Sequence, residues 1–288
     1  MKLEVMLNCG IGDVILTRNI LDSVKHQYNK INITPSNQII NQYRNGDKNF
    51  KDFIYSFMKI MFNCKPYSVK LNQKYPRFSC MDNIYQNIPV SDESKYSIKT
   101  YSKELCVGEP LQISDYIVIS TKVRGAPLLN DFNIFYKKQF LDALLRLCDK
   151  YKIVILGERE VLDNVEYRNI GPQRIYCIYN DLMQVLLNTG HVIDMTISGN
   201  EASMPSLKKI QQDCLIMNNA KNVISLGFGG NFILTLASAK AITSFVGEED
   251  TIIRGFAPYY VHMAHYPQRK DVCITTQFTN FIGKLNSL

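Results

Sequence analysis

Tryptophan is absent from this sequence, and so is any long apolar run. The longest runs are a handful of residues, such as Tyr116–Ile119 and Ile153–Leu156, far short of the roughly 20 that cross a bilayer. The opening Met1-Lys2-Leu3-Glu4-Val5 carries an early acid and leads into a Gly-rich turn, unlike a secretory leader. Eight cysteines occur without a CxxC pair. Several sit in apolar patterns, as in Leu147-Cys148 and Cys214-Leu215, where Cys acts as a small hydrophobe. The expectation is a reduced, cytoplasmic protein without a structural zinc. No GxxxxGK[ST] occurs, which excludes a P-loop NTPase in its usual form, and no GxSxG nucleophile elbow. Dense runs of Lys and Arg are missing, so no nucleic acid is expected as partner.

What is present suits a soluble globular chain: 46% hydrophobic and 20% charged residues. At roughly 100–200 residues per domain, 288 residues suggest two domains. The net charge of +7 is spread along the chain. It fits an anionic partner, such as a phosphorylated metabolite or a peripherally touched membrane surface, and equally a basic surface with no partner.

The pattern alternates strands and helices. Leu3–Leu7 reads as a strand, Asn8–Gly12 as a turn, and Val14, Ile15, Leu16, Ile20, Leu21 and Val24 recur at helical spacing. Ile31–Thr34 is a strand and Phe50–Phe62 a helix, while Cys64–Lys95 yields only short strands and loops. Gly108-Glu109-Pro110 looks like a linker. Beyond it, strands are expected at Tyr116–Thr121, Lys152–Leu156, Val192–Ile197, Asn222–Leu226 and Ala241–Val246. Helices are expected at Phe135–Cys148, Leu182–Leu187, Leu207–Asn219 (capped by Ser206), Asn231–Ala239 and Phe278–Leu288. Apolar strands alternating with amphipathic helices imply parallel sheets covered on both faces. The expected fold is α/β, with two doubly wound domains at 1–110 and 111–288, and with room for the last helix to pack back on the first. A ligand then belongs outside the carboxyl ends of the strands, in the cleft between domains.

Three features stand where such a ligand would lie. Gly10-Ile11-Gly12-Asp13 links the first strand to the first helix; its glycines permit a tight turn and close approach of a ligand. Asp13 is either a helix cap or a carboxylate placed to deprotonate a hydroxyl. Gly227-Phe228-Gly229-Gly230-Asn231 follows an apolar strand and enters a helix, which suits a phosphate cradle or a close strand–helix crossing. Lys122 and Arg124 follow another strand end; they can meet a diphosphate or lie in a solvated loop. Glu248 and Glu249 after Gly247 can accept ribose hydroxyls or cap the next segment. His262 and His265 lack a third ligand, so no metal is expected.

Asn8-Cys9-Gly10-Ile11-Gly12-Asp13-Val14-Ile15-Leu16 resembles the opening of the ADP-heptose-type glycosyltransferases, the heptosyltransferase family of GT-B fold. The order of later features is also similar: Ile117–Lys122, Ile153–Glu158, Leu215–Ser225, Gly227–Asn231 and Phe245–Gly247. The resemblance covers the first 25 residues and most of 115–250. It implies a metal-independent, inverting transfer with no cofactor beyond a nucleotide-diphosphate-sugar donor, onto a glycan or a lipid- or protein-linked sugar. It makes Asp13 the base, with Gly10 and Gly12 on the acceptor side. Lys122, Arg124, Gly227, Gly229, Gly230, Asn231 and Glu248 fall on the donor side. The family's late turn carries Asp-Thr-Gly and a His, where this chain has Gly227-Phe228-Gly229 and Phe232; this argues against ADP-heptose as donor. The polysaccharide pyruvyltransferases also resemble this N-terminus, and a non-catalytic sugar- or nucleotide-binding module is a further alternative.

Overall fold

The structure is a computed structural model. It describes residues 1–7, 10–35, 48–70, 88, 90–124, 134–159, 175–197, 206–227, 229–247 and 258–288.

Strands β1 (Lys2–Leu7), β2 (Lys30–Pro35) and β3 (Tyr67–Val69) form a parallel sheet in sequential order. Helices α1 (Ile11–Val24) and α2 (Lys48–Met61) cross between them and pack on each other, so both lie on one face. Every residue of α1 from Val14 to Leu21 is buried. A helix covered all round lies between two layers, and here the second layer comes from the other half of the chain.

That burial takes Arg18 and Asn19 out of water, and each is fully engaged. Arg18 Nε meets Asp22 Oδ2 at 2.8 Å, its other nitrogens reach Met61 O and Cys64 Sγ, and its guanidinium lies 4.5 Å from the Tyr67 ring centre. Tyr67 and Tyr101 donate to the two Asp22 oxygens at 2.8 and 3.3 Å. Asn19 donates to Ser94 O and Ser97 O and accepts from Lys99 N. It thereby laces down the segment holding α3 (Asp92–Tyr96) and α4 (Ser102–Leu105).

The second sheet has six parallel strands: β4 (Tyr116–Ser120), β6 (Lys152–Leu156), β8 (Val192–Asp194), β9 (Asn222–Leu226), β10 (Ile242–Phe245) and β11 (Val272–Thr275). A short antiparallel pair, β5 (Lys122–Arg124) and β7 (Ile175–Cys177), stands apart. Alternate residues serve opposite faces, as the strand period requires. Ile117, Ile119, Ile153, Ile155 and Ile224 pack against α5 (Ile134–Cys148), α6 (Tyr179–Leu186) and α10 (Phe278–Asn286). Val118, Val154 and Val223 face α7 (Leu207–Asn219) and α8 (Gly230–Ser238). Ser206 caps α7, accepting from Lys209 N at 3.1 Å.

The expected α/β class, with two parallel sheets, is therefore observed. The doubly wound order is present in the second sheet; in the first, the described strands run in sequence with both helices on one face. The halves share one apolar cluster, in which α1 packs directly on α8. Arg269, beyond α9 (Pro258–His265), ties the halves further by donating to Ile98 O, Leu236 O and Ala239 O at 2.8–2.9 Å. The last helix, α10, buries Phe278, Phe281 and Leu285 in a cluster drawn entirely from residues after 116, rather than packing back on the first half.

Candidate functional site

Taken in chain order as one to six, the strands of the second sheet lie in the spatial order 3-2-1-4-5-6. This is the Rossmann order, whose switch point opens a crevice at the carboxyl ends of the two central strands. Here those strands are β4 and β9. Lys122 and Arg124 follow directly from the end of β4, and the Gly-rich turn follows directly from β9. Two features singled out in the sequence thus flank one crevice.

The turn's backbone explains two of its glycines. Gly227 has φ 73° and Gly229 has φ 104° with ψ −163°, conformations that a side chain resists. The Gly227 N–H donates to Phe245 O at 2.8 Å, pinning the turn to β10. Gly229 is the residue before the first helical turn, and its carbonyl accepts from Ile233 N at 3.1 Å. Gly230 and Asn231 head α8, where the leading N–H groups lack intrahelical acceptors. Asn231 is exposed, whereas Phe232 is only 2% exposed and belongs to the core. Phe228 lies outside the described residues.

The N-terminal turn is shorter than expected. Helix α1 begins at Ile11, with Gly10 as the extended residue before it (φ −80°, ψ −174°). Asp13 is therefore not the residue preceding the helix but its third member. Its Oδ2 reaches back to accept the Gly10 N–H at 3.1 Å, the carboxylate half of a capping box. Gly12 is buried within the first turn, and a Cβ built on Gly10 meets nothing within 4 Å. The two Gly turns thus launch α1 and α8, the two helices that pack on each other across the halves.

The backbone of Lys122 and Arg124 pairs with Cys177 and Ile175; their side chains lie outside the described set, as does Glu248. Thr121, fully buried between β4 and β5, anchors this exit. Its N–H donates to Leu156 O, its Oγ1 donates to Glu158 O at 2.6 Å, and its carbonyl accepts from Ile178 N.

Sequence reading missed a polar cluster at the carboxyl ends of β6 and β8. Arg159 Nη2 meets Asp194 Oδ2 at 3.1 Å, and its Nε donates to Thr196 Oγ1 at 3.0 Å. Its guanidinium lies 5.6 Å from the Tyr179 ring centre. Asp194 also accepts from Tyr179 Oη at 2.8 Å, Thr196 N at 3.0 Å and Thr196 Oγ1 at 2.5 Å. Burial alone raises the Asp194 carboxyl, but the donors from Thr196 and Tyr179 and the Arg159 charge hold it below its ordinary value. The Asp-x-Thr spacing of residues 194 and 196 was the available signal.

A cavity of about 590 Å³ opens beside Cys148, Thr189 and His191, at the amino ends of the strands and so away from the crevice. Among the described residues, no three His, Cys, Asp or Glu side chains gather into a metal site, and His262 and His265 are both exposed. Among them too, no helix is long and apolar enough to cross a membrane.

No family model matches the chain, and no curated protein matches it in sequence. Solved structures do resemble it, heptosyltransferases among them. The E. coli heptosyltransferase WaaC with ADP gives a TM-score of 0.44 at 11% identity, over 100% of this chain and 97% of that one. The dodecameric iron-containing heptosyltransferase TibC, in complex with ADP-D-beta-D-heptose, gives 0.42 at 13% identity. That match covers 86% of this chain, which spans only 60% of TibC. TibC from enterotoxigenic E. coli H10407 gives 0.40 at 13% identity, over 85% and 57% of the two chains. Scores of this size mark a loose superposition and add nothing to what the strand order itself defines.

Proposed function

We propose that the chain is a glycosyltransferase that moves a sugar from a nucleotide-diphosphate donor to a hydroxyl of a glycan or of a lipid- or protein-linked sugar. The observation that carries this reading is the Rossmann order of the second sheet, with its switch point flanked by the Gly227–Asn231 turn and the Lys122–Arg124 strand. The part from residue 111 on is the donor side, and residues 1–110 are the acceptor side. The donor diphosphate lies against the first N–H groups of α8, whose dipole favours an anion. Lys122 and Arg124 offset the charge that grows on it as the anomeric C–O bond breaks.

Asp13 takes the proton of the acceptor hydroxyl as its oxygen bonds to the anomeric carbon. The nucleoside diphosphate leaves from the opposite face, so the centre inverts. No resident metal is assigned to the reaction.

One observation favours a second reading, a binding module without turnover. Phe232 fills the place where the heptosyltransferases carry a His, and it is committed to the core. Incubation with a panel of nucleotide sugars, scored by nucleoside diphosphate release, separates the two. Release supports the transferase; binding without release of any donor supports the module.

A further inference from the structure

The cluster around Arg159 is unused by the reaction above, yet it stands at the same end of the same sheet. β6 lies two strands from β9, roughly 10 Å at 4.7–4.9 Å per strand. A nucleotide whose diphosphate rests on α8 and which extends over β4 brings its base to this cluster. Arg159 is built to receive one. Its Nε and Nη2 are fixed by Thr196 and Asp194, and its plane lies near the Tyr179 ring. Asp194 is held in turn by three further donors. The Arg159 side chain nevertheless remains 46% exposed. Its charge is locally balanced by Asp194, so it suits a neutral acceptor edge better than a phosphate.

We propose that Arg159 reads the base of the bound nucleotide and selects a carbonyl-bearing base, guanine or uracil, over adenine. This rests on the nucleotide-binding reading above. A guanidinium has donors only. Guanine offers it O6 and N7, and uracil offers O4, whereas adenine sets an amino donor beside N7.

The test is calorimetric titration of the full chain with ADP, GDP and UDP. GDP or UDP is expected to bind at least about tenfold tighter than ADP, in keeping with the 1–3 kcal/mol of a matched pairing. Arg159→Met removes the donors, and Arg159→Lys keeps the charge without the fork. In Arg159→Met the preference is expected to shrink to less than about threefold, with ADP affinity little changed, whereas Arg159→Lys, still a donor, keeps part of it. Equal or tighter ADP binding by the native chain overturns the proposal, as does a preference that survives in folded Arg159→Met. If none of the three nucleotides binds, the nucleotide-binding reading fails with it.

Discussion

The backbone N–H of Gly10 donates to Asp13 Oδ2 at 3.1 Å. One carboxylate thus secures the first turn of α1, and the proposed transfer also gives it the role of base. The two roles separate under mutation. Asn keeps an oxygen able to accept the Gly10 N–H but cannot take a proton at neutral pH. Asp13→Asn is expected to unfold within about 1 kcal/mol of the native chain in urea, to bind nucleotide normally, and to lose transfer at least about a hundredfold. Near-normal transfer makes Asp13 structural only.

The two glycines that precede these helices differ in what they tolerate. Gly229 has φ 104°, so Gly229→Ala is expected to cost roughly 1–3 kcal/mol in denaturant titration. Gly10 has an ordinary φ and open space at its Cβ position. Gly10→Ser is expected to be neutral or stabilising by up to about 1 kcal/mol, since Ser caps at least as well as Gly. A loss of transfer in this stable variant identifies Gly10 as a point of close acceptor approach.

The buried pair Arg18–Asp22 sets an acid limit on stability. Burial raises the Asp22 carboxyl, but the bond and charge of Arg18, with bonds from Tyr67 and Lys25, hold it below its ordinary value. A carboxyl depressed in the folded state takes protons more readily when unfolded. Its contribution is full above the unfolded value near 4 and is lost as pH falls through the folded one. Urea midpoints measured from pH 7 down to 3 are expected to drop below about pH 4, and Asp22→Asn removes part of that drop. At pH 7 this variant leaves Arg18 buried without its partner, a loss of about 3–5 kcal/mol.

Arg269 serves three carbonyls, two of them at the end of α8. Arg269→Met strands these acceptors and is expected to cost at least about 1.5 kcal/mol by thermal or urea unfolding. A change under 0.5 kcal/mol would mean that water replaces the guanidinium readily.

Much of this architecture was legible because the central strands of the second sheet are unbroken apolar runs. Ile153–Leu156 and Val223–Ile224 read as buried parallel strands without further help. Both Gly turns were legible as well, and Gly227 and Gly229 owe their identity to positive φ. Strands β3, β5, β7 and β11 span three or four residues each, too few for a period to show. The expected strand Val192–Ile197 is regular only as far as Asp194, yet the backbone keeps its pairing along the β6 exit: Met195 N donates to Ile155 O, Ile197 N to Gly157 O, and Ile197 O accepts from Arg159 N. Arg18 and Asn19 fall between the apolar positions of the first helix in the sequence, and the layer from the other half of the chain makes them interior. Asp22, four residues after Arg18, was the one local sign for the arginine.

The central claim is that a nucleoside diphosphate binds at the switch point between β4 and β9. Calorimetric titration with GDP, UDP and ADP, on the native chain and on a Lys122→Ala/Arg124→Ala double variant, tests it most directly. The account predicts saturable one-to-one binding by the native chain and at least about tenfold weaker binding by the folded variant, since each charge-assisted contact is worth roughly 1.5–3 kcal/mol. Unchanged affinity in the folded variant, or no binding of any of the three to the native chain, contradicts it.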